Sequence, residues 1–355
     1  MSDAPCILSV ASAVPPYRIE QGQVKDFARL MFGGSHRDIE RLMPLFDNVH
    51  VEGRNFCVPL EWFDEHHTFP ERNDLYIENA LELSEKAARR AMDRAGTEPE
   101  DIGAILFVSS TGFATPSLDS TLIFALGLSE QTRRIPVWGL GCAGGAAGLG
   151  LAADHARLRP EKAVLFVTVE LSGLTFQRDD PSKANLISTS LFADGAAAVV
   201  VGCEGEGPER GGPEIIGSRS TTWPGTEDVM GWELIETGLK VELSKDVPKI
   251  VREKFRDDLA GACASLGLAI EELAHFVLHP GGTKVLDTFE EVLGLKRDSL
   301  VHSRGVLRDS GNMSAPTVLF ILERFLASGE FGPGDLGVLS AMGPGFSAEH
   351  VFFRC

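Results

Sequence analysis

Paired metal or disulfide spacings are missing from this 355-residue chain. Its six cysteines (Cys6, Cys57, Cys142, Cys203, Cys263 and Cys355) are scattered with no C-x-x-C pair, which argues against a disulfide frame or a zinc site and fits reduced thiols. The nine histidines form no H-E-x-x-H, and no metal is expected. The adjacent His66 and His67 read as surface residues. No uninterrupted apolar run reaches the roughly 18 residues of a membrane span. The start, Met1 to Cys6, lacks a basic stretch followed by an apolar one, so no signal peptide is expected and the location is read as cytoplasmic. Positive charge is scarce: 33 Lys and Arg face 51 Asp and Glu, for a net charge of −18. That balance argues against nucleic acid or an anionic membrane surface as partner, while leaving room for a local patch that meets phosphates.

What is present is α/β alternation in a chain that is 43% hydrophobic. Residues 73–95 carry helical spacing, and Gly96 stops the pattern. Strands are expected at Ile102–Val108, Pro136–Leu140, Ala163–Val169 and Ala196–Val201, and a small-residue helix over Ala143–Leu158. The Gly-, Pro- and Glu-rich stretch 202–217 reads as a linker. Beyond it the order repeats: a helix near 247–265, a strand His275–Leu278, a further helix start and a strand at 335–340. Cys142 lies 34 residues after Val108, and Asn312 lies 33 residues after His279. The chain therefore reads as two duplicated halves, 1–210 and 211–355, each contributing one helix start to a shared centre.

Cys142 sits in Gly141-Cys142-Ala143-Gly144-Gly145 between a strand and a helix. A thiol at a helix start feels the positive end of the dipole, which favours thiolate; a small residue packed in a tight turn is the structural alternative. A pseudo-twofold axis brings Cys142, His279 and Asn312 together at the strand ends, where open α/β sheets carry their sites. Cys beside His is a nucleophile with its base. His and Asn N–H groups suit a developing oxyanion. Together they fit acyl transfer to Cys142, then decarboxylation of a malonyl thioester and attack of the resulting carbanion on the acyl group. Alone, His279 reads equally as a turn histidine and Asn312 as an N-cap. The Gly139-x-Gly141-x-x-Gly144 match to a dinucleotide fingerprint is set aside, because its middle holds the thiol and the following strand ends at Glu170, later than the motif requires.

Gly141-Cys142-Ala143-Gly144-Gly145, Leu278-His279-Pro280-Gly281-Gly282, Gly311-Asn312-Met313-Ser314 and Gly343-Pro344-Gly345-Phe346 together resemble the type III polyketide synthases, the chalcone-synthase-like group of the thiolase superfamily. The resemblance spans roughly residues 5–355. It implies a thiolase-like αβαβα fold, a homodimer, and acyltransferase activity on coenzyme A thioesters without carrier protein, cofactor or metal. It implies that Cys142 is acylated, that His279 and Asn312 serve decarboxylation and the oxyanion, and that Phe192 gates the passage between coenzyme A tunnel and cavity. Thr175 and Ser314 match cavity-lining positions, and Gly343, Pro344 and Gly345 the loop shaping the cyclisation pocket. Val241 stands where plant members carry a gate Phe, which implies a wider opening. This departure and the bacterial-looking Ser110–Ser117 stretch lead to an expected fatty acyl-CoA starter, extended by malonyl-CoA and closed to an alkylpyrone or alkylresorcinol. Arg54 and Lys284 are expected to meet coenzyme A phosphates. The alternatives are a ketoacyl-carrier-protein synthase III-like enzyme, against which His279-Pro280-Gly281-Gly282 and Gly343-Pro344-Gly345 speak, and a non-catalytic acyl-thioester binder.

Overall fold

Two apolar patterns build the molecule. In the helix Phe69–Ala95, Ala80, Leu83, Ala87 and Ala91 form a buried stripe at helical spacing. Thr68 and Glu71 cap its start reciprocally and the left-handed Gly96 closes its end, so it begins one turn before the expected residue 73. By contrast, Ala163–Leu171 and Asp194–Cys203 are buried at nearly every residue. Such strands need cover on both faces.

The computed structural model describes residues 4–33, 39–203 and 212–355. In chain order the strands are β1 (Pro5–Ala13), β2 (Tyr17–Glu20), β3 (Gly53–Phe56), β4 (Ile102–Val108), β5 (Arg133–Val137), β6 (Ala163–Leu171), β7 (Asp194–Cys203), β8 (Glu214–Thr222), β9 (Met230–Ile235), β10 (Gly238–Leu243), β11 (Leu273–Leu278), β12 (Leu336–Gly343) and β13 (Ser347–Arg354). Nine of them run in the order β11-β12-β13-β8-β1-β7-β6-β4-β5, while β2–β3 and β9–β10 form separate pairs. The nine are two sheets joined at a seam, since β1 meets β8 at the single pair Cys6↔Glu214. Outward from the seam the pairing repeats. β1-β7-β6-β4 and β8-β13-β12-β11 are each antiparallel, antiparallel, parallel. Only β5, at the outer edge, has no counterpart among the described strands.

The helices Gly144–Leu158 and Ala315–Ser328 lie between the two sheets and pack on strands of both. Phe69–Ala95 covers β1, β6 and β7 from outside. On the other side, Leu259 and Cys263 of Arg256–Ser265 and Leu286 and Phe289 of Thr283–Leu293 pack with Val338 and Phe352 of β12 and β13. The result is the expected thiolase-like αβαβα stack.

The strand expected after β4 and the linker differ in their bounds from the sequence reading. The strand expected at 136–140 is β5, pairing in parallel from Ala104↔Arg133 to Val108↔Val137; Pro136, which lacks an N–H, is tolerated because this is an edge. Gly202 and Cys203 belong to β7 and Glu214–Gly217 to β8, so the linker is shorter than 202–217. The half-boundary at 210–211 lies outside the described residues.

The two central helices touch where a glycine permits it. A Cβ on Gly145 would stand 2.3 Å from the Ala315 carbonyl oxygen, a backbone atom. Gly145→Ala is therefore expected to cost about 1–3 kcal/mol, the range for overpacking a dense core, read as a lower urea midpoint. Unchanged stability would contradict this close approach of the halves.

Candidate active site

The chain leaves β5, turns through Gly139 and Leu140, and makes one tight 3-10 turn, Gly141–Ala143, before the Gly144–Leu158 helix begins. Cys142 is the middle residue of that turn. The turn is braced from the second half. A Cβ on Gly343 would come within 2.5 Å of the Leu140 carbonyl oxygen and 2.6 Å of the Ala143 nitrogen. Gly343 and Pro344 thus pack beneath the cysteine turn, and their neighbours Met342 and Phe346 are the residues that reach the cavity wall.

His279 follows the end of β11, its backbone N–H donating to the Ser340 carbonyl at 2.9 Å. Asn312 is bracketed by a second segment: its N–H donates to the Leu191 carbonyl and its carbonyl accepts from the Ala193 N–H, both at 2.9 Å. Ser314 begins the next helix at φ 57° and ψ −128°, a conformation that non-glycine residues hold only under constraint. That geometry lets the Ser314 N–H donate to Asn312 Oδ1 at 2.8 Å, and Thr317 Oγ1 approaches the same oxygen at 3.4 Å. With the oxygen engaged, the amide orientation follows. Nδ2 donates one hydrogen to the Gly281 carbonyl at 3.1 Å and keeps the other for the cavity that Asn312 lines.

Cys142, His279 and Asn312 line one cavity of about 420 Å³, and they are only 6%, 4% and 2% exposed. Access comes from a groove of about 1320 Å³ that shares Leu191, Met230, Leu243, Val247, Gly281 and Val285 with the cavity wall. Arg41, Lys183, Lys245 and Lys284 line this outer groove, a cationic mouth on an acidic protein.

Burial governs the electrostatics. It pushes the Cys142 thiol up to about 11, opposed by hydrogen bonding with the Ser314 and Asn312 side chains and reinforced by Glu170. It also holds the His279 imidazolium down to about 3. Neither ring nitrogen of His279 has a hydrogen-bond partner among the described residues. The preformed thiolate expected from the helix start is therefore not what this environment favours for the sulfur taken singly. Moving the thiol proton to His279 creates both charges at once, and their attraction offsets the desolvation that each would suffer alone.

The remaining expected site residues land as follows. Lys284 is exposed at the groove. Arg54 is not there: it lies in β3 with no exposure and donates to carbonyls of the chain interior. Its assignment to coenzyme A phosphates is corrected, because a side chain closed off from solvent by its own fold meets no ligand phosphate. Phe192 lines the catalytic cavity and also a second cavity of about 460 Å³ walled by Phe27, Phe56, Phe63 and Phe176. Thr175 faces that second cavity, not the catalytic one. Val241 lies off the catalytic wall, paired across the hairpin with Trp232, so the widening expected from a small residue is offset by a large one directly opposite. Ser314 acts on the Cys142 sulfur, as described. The sequence reading passed over Met230, Leu243 and Met342 on the wall, the groove cations Arg41, Lys183 and Lys245, and Glu170. The Glu170 carboxyl, fully buried and bonded to Ser110, is pushed up to about 7 by burial. A carboxylate inside an otherwise apolar strand was the available signal.

Comparison with known proteins agrees with this geometry. Residues 5–205 match the profile "Chalcone and stilbene synthases, N-terminal domain", and residues 214–355 match the C-terminal domain of the same family. A protein of Bacillus subtilis (strain 168) that carries the provisional name chalcone synthase is 39% identical over 98% of both chains. The 1,3,6,8-tetrahydroxynaphthalene synthase of Streptomyces peucetius subsp. caesius is 36% identical over 98% of this chain and 92% of its own. The crystal structure of the 1,3,6,8-tetrahydroxynaphthalene synthase of Streptomyces coelicolor A3(2), a bacterial type III polyketide synthase, superposes with a TM-score of 0.93 at 30% identity over 99% of each chain.

If the thiolate exists here only as a pair with the imidazolium, His279→Ala must disarm the sulfur. A thiol held near 11 is ionised to about one part in ten thousand at pH 7. Alkylation of Cys142 by iodoacetamide at pH 7 is expected to slow at least about tenfold in the variant, with its rate climbing only at alkaline pH. An unchanged rate at pH 7 would contradict the pairing.

Proposed function

The chain belongs to the chalcone and stilbene synthase family as a type III polyketide synthase, an acyltransferase that condenses acyl- and malonyl-CoA, and from that premise we propose how its own residues carry the reaction. Cys142 is the acyl carrier. His279 takes the thiol proton, the sulfur attacks the starter thioester carbonyl, and the C–S bond to coenzyme A breaks as His279 returns the proton to the leaving sulfur, releasing the free thiol and leaving acyl-Cys142 and a neutral His279. Malonyl-CoA then enters the same cavity. The N–H of the neutral His279 ring and the second Asn312 N–H hold its thioester oxygen while carbon dioxide leaves, so that the electron pair of the broken C–C bond becomes an enolate rather than a bare carbanion. The enolate carbon attacks the acyl-Cys142 carbonyl, a C–C bond forms, and the C–S bond to Cys142 breaks. The extended chain is now on coenzyme A and Cys142 is ready for reloading.

One observation carries this reading. In one buried cavity, a thiol stands with an imidazole whose two nitrogens lack partners among the described residues and with an amide whose oxygen is already engaged. The Arg41, Lys183, Lys245 and Lys284 groove suits the phosphates of a coenzyme A thioester, whose pantetheine arm would then run inward along Met230, Leu243 and Val247.

For the starter, we propose a fatty acyl-CoA, with closure to an alkylpyrone or alkylresorcinol. The apolar wall of Leu191, Met230, Leu243, Val285, Met342 and Phe346 supports it, as does the phenylalanine-lined space on the far side of Phe192. The relatives favour a second reading. Their named product, 1,3,6,8-tetrahydroxynaphthalene, bears hydroxyls and no alkyl chain, so a starter that leaves no tail is the competing choice.

One experiment addresses both levels. The wild type and Cys142→Gln are incubated with labelled malonyl-CoA and a panel of starters from malonyl-CoA to long-chain acyl-CoA, and products are read by mass spectrometry. The wild type is expected to give alkylated products from the long-chain starters, and Cys142→Gln to release carbon dioxide with no polyketide. Tail-free products alone would overturn the fatty starter. Polyketide formation by Cys142→Gln would overturn the acyl-Cys142 route.

A further inference from the structure

Arg54 is a full charge buried without a counter-ion among the described residues. It is 0% exposed, and burial lowers it only to about 9, so it stays protonated at neutral pH. Among the described residues its Nε has no hydrogen-bond partner, and the Phe56 ring centroid lies 5.9 Å from its Cζ. Everything else the guanidinium touches is neutral. Nη1 donates to the Thr189 carbonyl at 2.8 Å and to the Phe192 carbonyl at 2.9 Å. Nη2 donates to Gln21 Oε1. Gln21 Nε2 in turn donates to the Ser190 carbonyl at 3.0 Å and the Phe46 carbonyl at 2.9 Å.

Thr189, Ser190 and Phe192 mark the C-terminal end of the Lys183–Leu191 helix, where carbonyls have no intrahelical donor and a cation is favoured by the dipole. Two side chains thus hold three successive-turn carbonyls of this end. The same end holds a catalytic group. Leu191 and Ala193, on either side of Phe192, make the two backbone hydrogen bonds that bracket Asn312. Packing reinforces the link, because a Cβ on Gly311 would meet the Leu191 oxygen at 3.0 Å and Arg54 Cβ at 3.5 Å. The chain of contacts runs from the guanidinium to the 189–193 backbone to Asn312, with no side-chain rotamer free to absorb a shift.

We propose that Arg54 is a positioning residue for decarboxylation: its fork of hydrogen bonds to the Thr189 and Phe192 carbonyls fixes the segment that aims the Asn312 amide at the malonyl thioester. The proposal rests on the reading above, in which His279 and Asn312 drive loss of carbon dioxide. It assigns Arg54 no contact with substrate and none with coenzyme A. A lysine there keeps the charge but loses the planar fork, so it separates geometry from charge.

The test measures two steps on full-length protein: acylation of Cys142 by a starter, followed as protein mass, and carbon dioxide release from malonyl-CoA. Arg54→Lys is expected to lower the kcat for carbon dioxide release by about tenfold or more, as for a loosened oxyanion donor, with the KM for malonyl-CoA and the acylation rate within about twofold. In an Asn312→Ala background, Arg54→Lys is expected to add no further loss, because the two act through one group. Gln21→Met, which removes no charge, is expected to slow the same step by a smaller factor and serves if Arg54→Lys does not fold. Equal losses in both steps, or an undiminished effect of Arg54→Lys without the Asn312 amide, would overturn the positioning role. Full decarboxylation by both Arg54→Lys and Gln21→Met would overturn it as well. A wild type that acylates but releases no carbon dioxide would overturn the decarboxylation reading together with it, whereas an active wild type with unaffected variants would overturn the Arg54 assignment alone.

Discussion

Neither Cys142 nor His279 can carry a charge alone in the cavity they share, and much of the surrounding architecture follows from that constraint. Desolvation pushes the thiol and the imidazole toward their neutral forms. Charge is generated when one proton crosses between them, or when a substrate brings charge of its own. A site of this kind has little thiolate to waste on adventitious electrophiles. It also leaves the His279 ring without hydrogen-bond partners among the described residues, so that its nitrogens are available in turn to the sulfur and to a thioester oxygen. The same dryness strengthens each hydrogen bond made to a developing enolate.

The duplicated scaffold supplies the alignment that so enclosed a site needs. Cys142 comes from the first half, His279 and Asn312 from the second, and the two central helices that follow Cys142 and Asn312 meet at Gly145 and Ala315. Each half braces the other's chemistry. The Gly343–Pro344 turn of the second half lies beneath the cysteine turn of the first, and the Leu191–Ala193 segment of the first half brackets Asn312 of the second. Movement between halves would therefore disturb nucleophile and oxyanion donor together, which is why small residues and backbone-to-backbone contacts, rather than long side chains, form this junction.

Much of this was legible in the chain itself. The near-equal spacings that precede Cys142 and Asn312 revealed the duplication, and the fully apolar runs of β6 and β7 announced strands covered on both faces. The triad could be read because its members stand near glycines where the strand and helix patterns break. Arg54 was misread because sequence shows charge but not enclosure: nothing local to it reveals that helix Gln21–Phe32 and the 189–192 segment close over it. Thr175 and Val241 were misplaced for a related reason. Which of several adjoining cavities a side chain enters depends on strand twist and on the residue opposite, and Trp232 is opposite Val241 only through a hairpin register that no local pattern fixes. The groove cations Arg41, Lys183, Lys245 and Lys284 are scattered along the chain, so only the fold gathers them.

The central claim is that the buried sulfur of Cys142, and no other nucleophile, carries the growing acyl chain. Brief mixing with a long-chain acyl-CoA in the absence of malonyl-CoA, followed by acid quench and peptide mass spectrometry, tests it most directly. The account predicts one acyl group per chain, on the peptide containing Cys142 and released by hydroxylamine as a thioester. An acyl group found on Cys57 or another residue, or none found although turnover proceeds when malonyl-CoA is added, would contradict it.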